Sequence, residues 1–164
     1  NGHIINRPFD VDEVALTIRS CTVMYQFVGI ACLALTVPEF QRFLRNISSA
    51  QFVISNPHDK ACIDSIADIL SKESAEIRAD ILKCIDILSQ LKQTNPRLDF
   101  RLSGYPPSWR ICILDKKRVL IRNYKGRRLS FESPMLILDD GAFAAGCIRY
   151  MEHSWATAEV ARHE

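Results

Sequence analysis

The chain has 164 residues, 48% of them apolar and 24% charged, with a formal net charge of +2. That balance suits one folded domain over residues 1–164 and excludes a disordered or low-complexity chain. It also excludes a partner selected by overall charge, although the charge is unevenly placed. Residues 97–128 hold ten Lys or Arg against Asp99 and Asp115, whereas residues 129–164 hold six acids against two Arg. Cys21, Cys32, Cys62, Cys84, Cys112 and Cys147 form no Cys-x-x-Cys pair and sit in apolar runs. They read as reduced thiols acting as small hydrophobes, so neither a metal nor another cofactor is expected and a cytoplasmic setting is. Residues 1–12 are polar and lack the core of a signal peptide. The run Cys21–Val37 is uncharged, but its Thr22, Gln26 and Thr36 favour a buried strand and loop over a membrane span.

In chain order, residues 1–9 are expected to be flexible. Asp10-Val-Asp-Glu13 has the form of a capping box, with Glu13 reaching back to the helix start. Val11, Val14, Ala15 and Ile18 then mark a helix ending near Arg19 or Ser20. Thr22 to Ile30 is a nearly continuous apolar strand, as expected where both faces are covered. Thr36-Val-Pro-Glu39 starts a second helix, with Thr36 as the cap and Phe40, Phe43, Leu44 and Ile47 as its apolar stripe. Residues 51–55 form a strand. From Asp59 to about Gln93 the spacing is helical, with a slip at Ser71–Ser74 that predicts a kink or two helices.

Leu98, Phe100 and Leu102 alternate with polar residues in the next strand. After Gly104-Tyr-Pro-Pro107 come two strands with a polar turn at Asp115-Lys116-Lys117. Ile111, Ile113, Val119 and Ile121 keep a period of two, as a half-buried ribbon needs. A loop at Gly126-Arg-Arg128, a strand at 134–138 and a helix from Phe143 to Ala161 complete the chain. Phe143, Cys147, Tyr150, Met151, Trp155 and Ala158 are expected on the buried side of that helix. This order predicts an α/β fold: a mixed, mostly parallel sheet flanked by helices on both faces.

Ser-x-Arg-x-x-x-x-Asp at 108–115 sits on the first strand of the hairpin. It resembles the His-x-Lys-x-x-x-x-Asp signature of the phospholipase D superfamily, which is followed on the second strand by a Gly-Ser pair. The resemblance covers roughly residues 10–158, one half of such an enzyme. It places Ser108 at the nucleophilic His, Arg110 at the phosphate-binding Lys, Asp115 at the Asp, and Arg122 and Asn123 at the Gly-Ser pair. A serine hydroxyl without a base cannot replace an imidazole in attack on phosphorus. A guanidinium at 110 keeps the charge and can fork onto phosphate.

The resemblance therefore implies a non-catalytic domain that binds a phosphate-bearing small molecule or nucleic acid in a sensing or regulatory role. Arg101, Ser108, Arg110, Asp115, Arg122 and Asn123 are the candidate ligand contacts, with Tyr124 as a stacking surface. Single-motif members of the family commonly pair, so a homodimer is implied, and the chain is equally compatible with a fragment of a longer regulatory protein. Two other readings stand beside it. One is an active phosphodiesterase or nuclease using a rearranged set at His58-Asp-Lys60-Ala-Cys-Ile-Asp64. The other is a protein-interaction or dimerisation scaffold with no small ligand.

Overall fold

Runs of strand formers alternate with helical stripes along the chain. The structure, a computed structural model, folds that alternation into one sheet between two helical layers. It describes residues 2–5, 11–124 and 134–160; residues 1 and 6–10, the loop expected at 126–128 and the chain beyond 160 lie outside the described residues. Eight strands are described: β1 (Gly2–Ile5), β2 (Met24–Gly29), β3 (Ser49–Ser55), β4 (Leu98–Ser103), β5 (Trp109–Leu114), β6 (Arg118–Asn123), β7 (Met135–Leu138) and β8 (Glu159–Val160). The helices are α1 (Val11–Ser20), α2 (Pro38–Asn46), α3 (Lys60–Leu70), α4 (Ser74–Thr94) and α5 (Ala142–Thr157).

The strands lie in the order β1-β7-β6-β5-β2-β3-β4-β8. The α/β class and the mixed sheet agree with the sequence, but the expectation of a mostly parallel sheet does not. Only β2–β3 and β3–β4 are parallel among the described pairings; the other five are antiparallel. The reason lies in the connections. Helices carry the chain from β2 to β3 and from β3 to β4, and such crossovers return it in the same direction. The turn between β5 and β6 permits only reversal, and β5 enters on the far side of β2. Of the end expected to be flexible over residues 1–9, Gly2–Ile5 pairs antiparallel with β7, and the rest lies outside the described residues. The closing helix stops at Thr157, short of the expected Ala161, and the next residues pair with β4 as β8.

Local signals explain most boundaries. Asp59 caps α3 by accepting a hydrogen bond from the Cys62 amide at 3.0 Å. Ser71 adopts a left-handed conformation and separates α3 from α4, where the apolar spacing slips. Thr36 does not cap α2; its hydroxyl donates to the Leu33 carbonyl and closes a 3-10 turn over Leu33–Thr36. The run Cys21–Val37 forms β2 and this turn, and among the described residues no helix is long and apolar enough to cross a membrane.

The sheet separates two cores. Tyr25, Phe27, Phe52, Ile54, Phe100 and Leu114 point into the larger one, with apolar residues of α1 to α4. Val28, Val53, Ile111, Ile113, Val119 and Ile121 meet α5 through Ala144, Cys147 and Met151. Phe143 is mostly exposed and does not line the buried side of α5, and Tyr150 is only partly covered there. All six cysteines are buried free thiols, and burial pushes Cys112 up to about 12 and Cys84 to about 11.

At the tip of the β5–β6 hairpin, Asp115 and Lys116 have φ of 54° and 55°. The Lys117 amide closes the turn on the Leu114 carbonyl at 3.0 Å. Two successive left-handed residues match the twist of the strands, but the conformation is costly for a side chain with a Cβ. Lys116→Gly is therefore expected to raise the unfolding free energy by up to about 1 kcal/mol, measured by urea denaturation.

Candidate functional site

The hairpin is not a half-buried ribbon, because helices cover both of its faces. Side chains at 111, 113, 119 and 121 point to α5, so those at 110, 112, 120 and 122 point into the larger core. Arg110 and Arg122 are thus each only 3% exposed, and they sit directly opposite each other in the register. Like charges in that position repel. Glu13 of α1 lies between them. Its carboxylate accepts from Arg110 Nη1 at 3.0 Å and Nη2 at 2.8 Å, and it lies 3.5 Å from Arg122 Nε. The Cys112 thiol also donates to Glu13, at 3.6 Å.

This network corrects the expected roles of two residues. The Glu13 carboxylate is held by Arg110, and Asp10, its expected partner in a capping box, lies outside the described residues. Arg110 and Arg122 are not an open phosphate grip, since the fork of Arg110 is already filled by a carboxylate. Burial is the largest influence on Arg110 and would lower its pKa, but Glu13 together with Cys112, Cys32 and Tyr124 outweighs it, so the pKa is raised well above its ordinary value. At Arg122, burial and the neighbouring charge of Arg110 outweigh Glu13 and lower the pKa. A sequence clue to Glu13 existed only in reverse: two arginines facing inward on paired strands demand a buried carboxylate from another element.

The remaining candidates separate. Asp115 follows β5 at the opposite end from Ser108. Its carboxylate accepts from the amides of Thr22, Val23 and Met24 at 2.8–2.9 Å and from the Thr22 hydroxyl at 3.0 Å. Burial raises its pKa, but the amides of Met24, Thr22 and Val23 overcome that and hold it at about 2. Tyr124 is buried rather than open for stacking. Its hydroxyl accepts from the Ile30 amide at 3.1 Å. Gly29 permits this, because a Cβ there would fall 2.6 Å from the Tyr124 hydroxyl. Arg101 points to the other side of the sheet, where its Nη1 donates to the Trp155 carbonyl at 2.7 Å and its guanidinium lies 4.4 Å over the Trp155 ring. It does not join Arg110. Ser108 is exposed, half-buried Asn123 ends β6, and the Ser108 carbonyl accepts from the Tyr124 amide.

The alternative set at His58 does not assemble as a phosphate site. Lys60 reaches Asp64 at 2.6 Å one helical turn away, and the Ser74 hydroxyl donates to the same carboxylate. Asp139 is taken by Arg118. Among the described residues no group of His, Cys, Asp and Glu is arranged to hold a metal ion. Sequence reading missed a cavity of about 450 Å³ at the carboxyl ends of the parallel strands, between the sheet, α5 and the chain leading from β4 to β5. Open α/β sheets hold ligands beyond those strand ends.

Two outcomes test these assignments. Glu13→Ala and Arg110→Ala are each expected to cost about 3–5 kcal/mol, because each leaves a buried charge without its partner. In urea titrations the double variant should cost clearly less than the sum of the two. Asp115→Asn should be less stable than the parent near neutral pH. Its folded pKa is depressed, so the carboxylate's contribution is full above the ordinary value of 3.8 and is lost as pH falls through about 2. The gap between the two proteins should therefore close over that interval, followed by circular dichroism.

No protein-family model matches the sequence, and no curated protein matches it. Solved structures do. Nuc from Salmonella typhimurium, a phospholipase D family member, superposes with a TM-score of 0.60 at 10% identity, covering 99% of this chain and 100% of that one. NucT from Helicobacter pylori gives 0.57 at 12% identity over 98% of this chain and 99% of that one. TrmBL2, an archaeal chromatin protein with a novel mode of DNA binding, gives 0.58 at 10% identity over 98% of this chain. This chain spans about half of TrmBL2, 54% of its length. The mixed sheet, the helices on both faces and the superpositions over the whole of Nuc and nearly all of NucT agree: the chain has a phospholipase D-like fold.

Proposed function

We propose that the chain is a non-catalytic phospholipase D-like domain that binds a ligand without cleaving it, in a sensing or regulatory role. One observation carries this reading. Both terminal nitrogens of Arg110 are engaged by Glu13 inside the core, while the position resembling the family's nucleophile holds Ser108. Phosphoryl transfer needs an activated nucleophile and a cation aimed at the developing negative charge. Here the hydroxyl has neither an imidazole in its place nor an uncommitted guanidinium two residues on. The fold's frame is kept, and the charged pair has become part of its support.

A second reading is favoured by the hairpin tip. Lys116 and Lys117 are exposed there, and TrmBL2, which shares the fold, binds DNA. Contact with phosphate would then run along the outside of the hairpin and not through Arg110. Such binding would weaken with salt and with Lys116→Ala/Lys117→Ala, as read by fluorescence anisotropy on duplex DNA.

The first reading is tested by turnover. Purified chain is expected to release no product from bis(p-nitrophenyl) phosphate, or from single- or double-stranded DNA, between about pH 5 and 9. Hydrolysis that disappears in Ser108→Ala, or in His58→Ala, would overturn it.

A further inference from the structure

The cavity at the carboxyl ends of β2 and β3 lies apart from the Glu13–Arg110–Arg122 network. Its floor is Val28 and Val53, on the face of the sheet that meets α5, whereas the arginines point to the opposite face. Pro107 adds an apolar wall from the chain entering β5. Tyr105 and Tyr150 stand at the rim, 79% and 42% exposed. The described lining includes no Asp, Glu, Lys or Arg. At about 450 Å³ the space is in the range of small-molecule sites, which are mostly apolar with a few placed polar groups.

The lining selects a chemistry. Among the described lining residues an anion would find no Lys or Arg to meet it and offset its desolvation. A molecule hydroxylated all around its ring needs a donor or acceptor on every buried side, unlike one that buries a base and leaves its sugar in water. Two hydroxyls of the lining have their protons engaged: Thr157 donates to the His153 carbonyl at 2.9 Å, and Ser103 donates to the Tyr105 carbonyl at 3.4 Å. The polar groups that remain are Ser154, His153 and the two phenols, set around an aliphatic floor. Such a surface fits a flat ring with an apolar face and a few hydrogen-bonding edges, and the exposed tyrosines offer it stacking faces.

We infer that this cavity binds an uncharged heteroaromatic molecule of nucleoside size, with the ring against Val28 and Val53 and its edge toward Ser154 and His153. The inference rests on the reading of the chain as a binding domain and supplies the class of ligand. Tyr105 is the residue to change, because its exposure lets it be removed without opening the core.

The experiment titrates the full chain with adenosine, guanosine, uridine and cytidine by calorimetry, with AMP and glucose as the charged and the polyhydroxylated counterparts. Saturable binding of at least one nucleoside is expected, weakened about tenfold or more by Tyr105→Ala. AMP should bind no more tightly than adenosine, and glucose should not bind. Failure of all four nucleosides to saturate overturns the inference, as does tighter binding of AMP or an unchanged affinity in Tyr105→Ala. Arg110 provides a control for place, since Arg110→Lys keeps the buried charge and should leave nucleoside affinity unaltered. The two readings fail separately: absent nucleoside binding with absent phosphodiester hydrolysis removes only the ligand class, whereas hydrolysis that needs Ser108 removes the non-catalytic reading.

Discussion

Two arginines face each other across the central hairpin, and a single carboxylate from the first helix lies between them. That arrangement fixes much else. Removing three charges from water is tolerable only when their hydrogen bonds are made within the protein. Meeting that condition ties α1 to β5 and β6 across 97 residues of sequence. The two elements could otherwise slide, since a helix resting on a sheet through aliphatic contacts alone has several nearly equal positions. A forked guanidinium–carboxylate pair has one. Arg110, read from the sequence as a phosphate grip, here holds α1 against the hairpin.

The rest of the hairpin follows the same economy of polar groups. Asp115 satisfies three successive amides at the start of β2 and so pins the turn to the neighbouring strand. Tyr124 reaches back to the Ile30 amide at the other end of that strand. The hairpin is thus held to β2 at both ends by single side chains and along its length by the antiparallel ladder. Arg110, Asp115 and Tyr124, read from the sequence as ligand contacts, are each bonded within the protein, and the cavity described lies on the other face of the sheet, beneath α5.

Much of the architecture was legible because the apolar spacing is strong. The strands at 24–29, 98–103 and 109–123 and the break between α3 and α4 follow from period and from residues such as Asp59 and Ser71. The site was less legible for a definite reason. Alternation at 110–114 and 118–122 reads as one wet face and one dry face, yet α1 and α5 cover both. Whether a polar face is solvated or buried against a partner is decided by elements far off in sequence. No local signal marked Glu13 as that partner, and its place after Asp10 suggested a cap instead. Parallel pairing was overestimated because helices separate the early strands, while the later reversals come from short turns. The cavity could not be foreseen, since it is bounded by side chains from β2, β3, α5 and the chain after β4, which only the tertiary fold brings together.

The position of β2 in the sheet has a kinetic consequence. Its parallel partner β3 follows soon along the chain, but its other neighbour is β5, and the clasp between Val23 and Asp115 joins residues 92 apart. Until that distant segment arrives, β2 presents an unpaired apolar edge. Contacts so remote in sequence form slowly, and an open edge of this kind can recruit other chains. Maturation of this molecule should consequently be most vulnerable to self-association in the interval before the hairpin docks, which makes the docking step, rather than helix formation, the one that governs recovery from dilute denaturant.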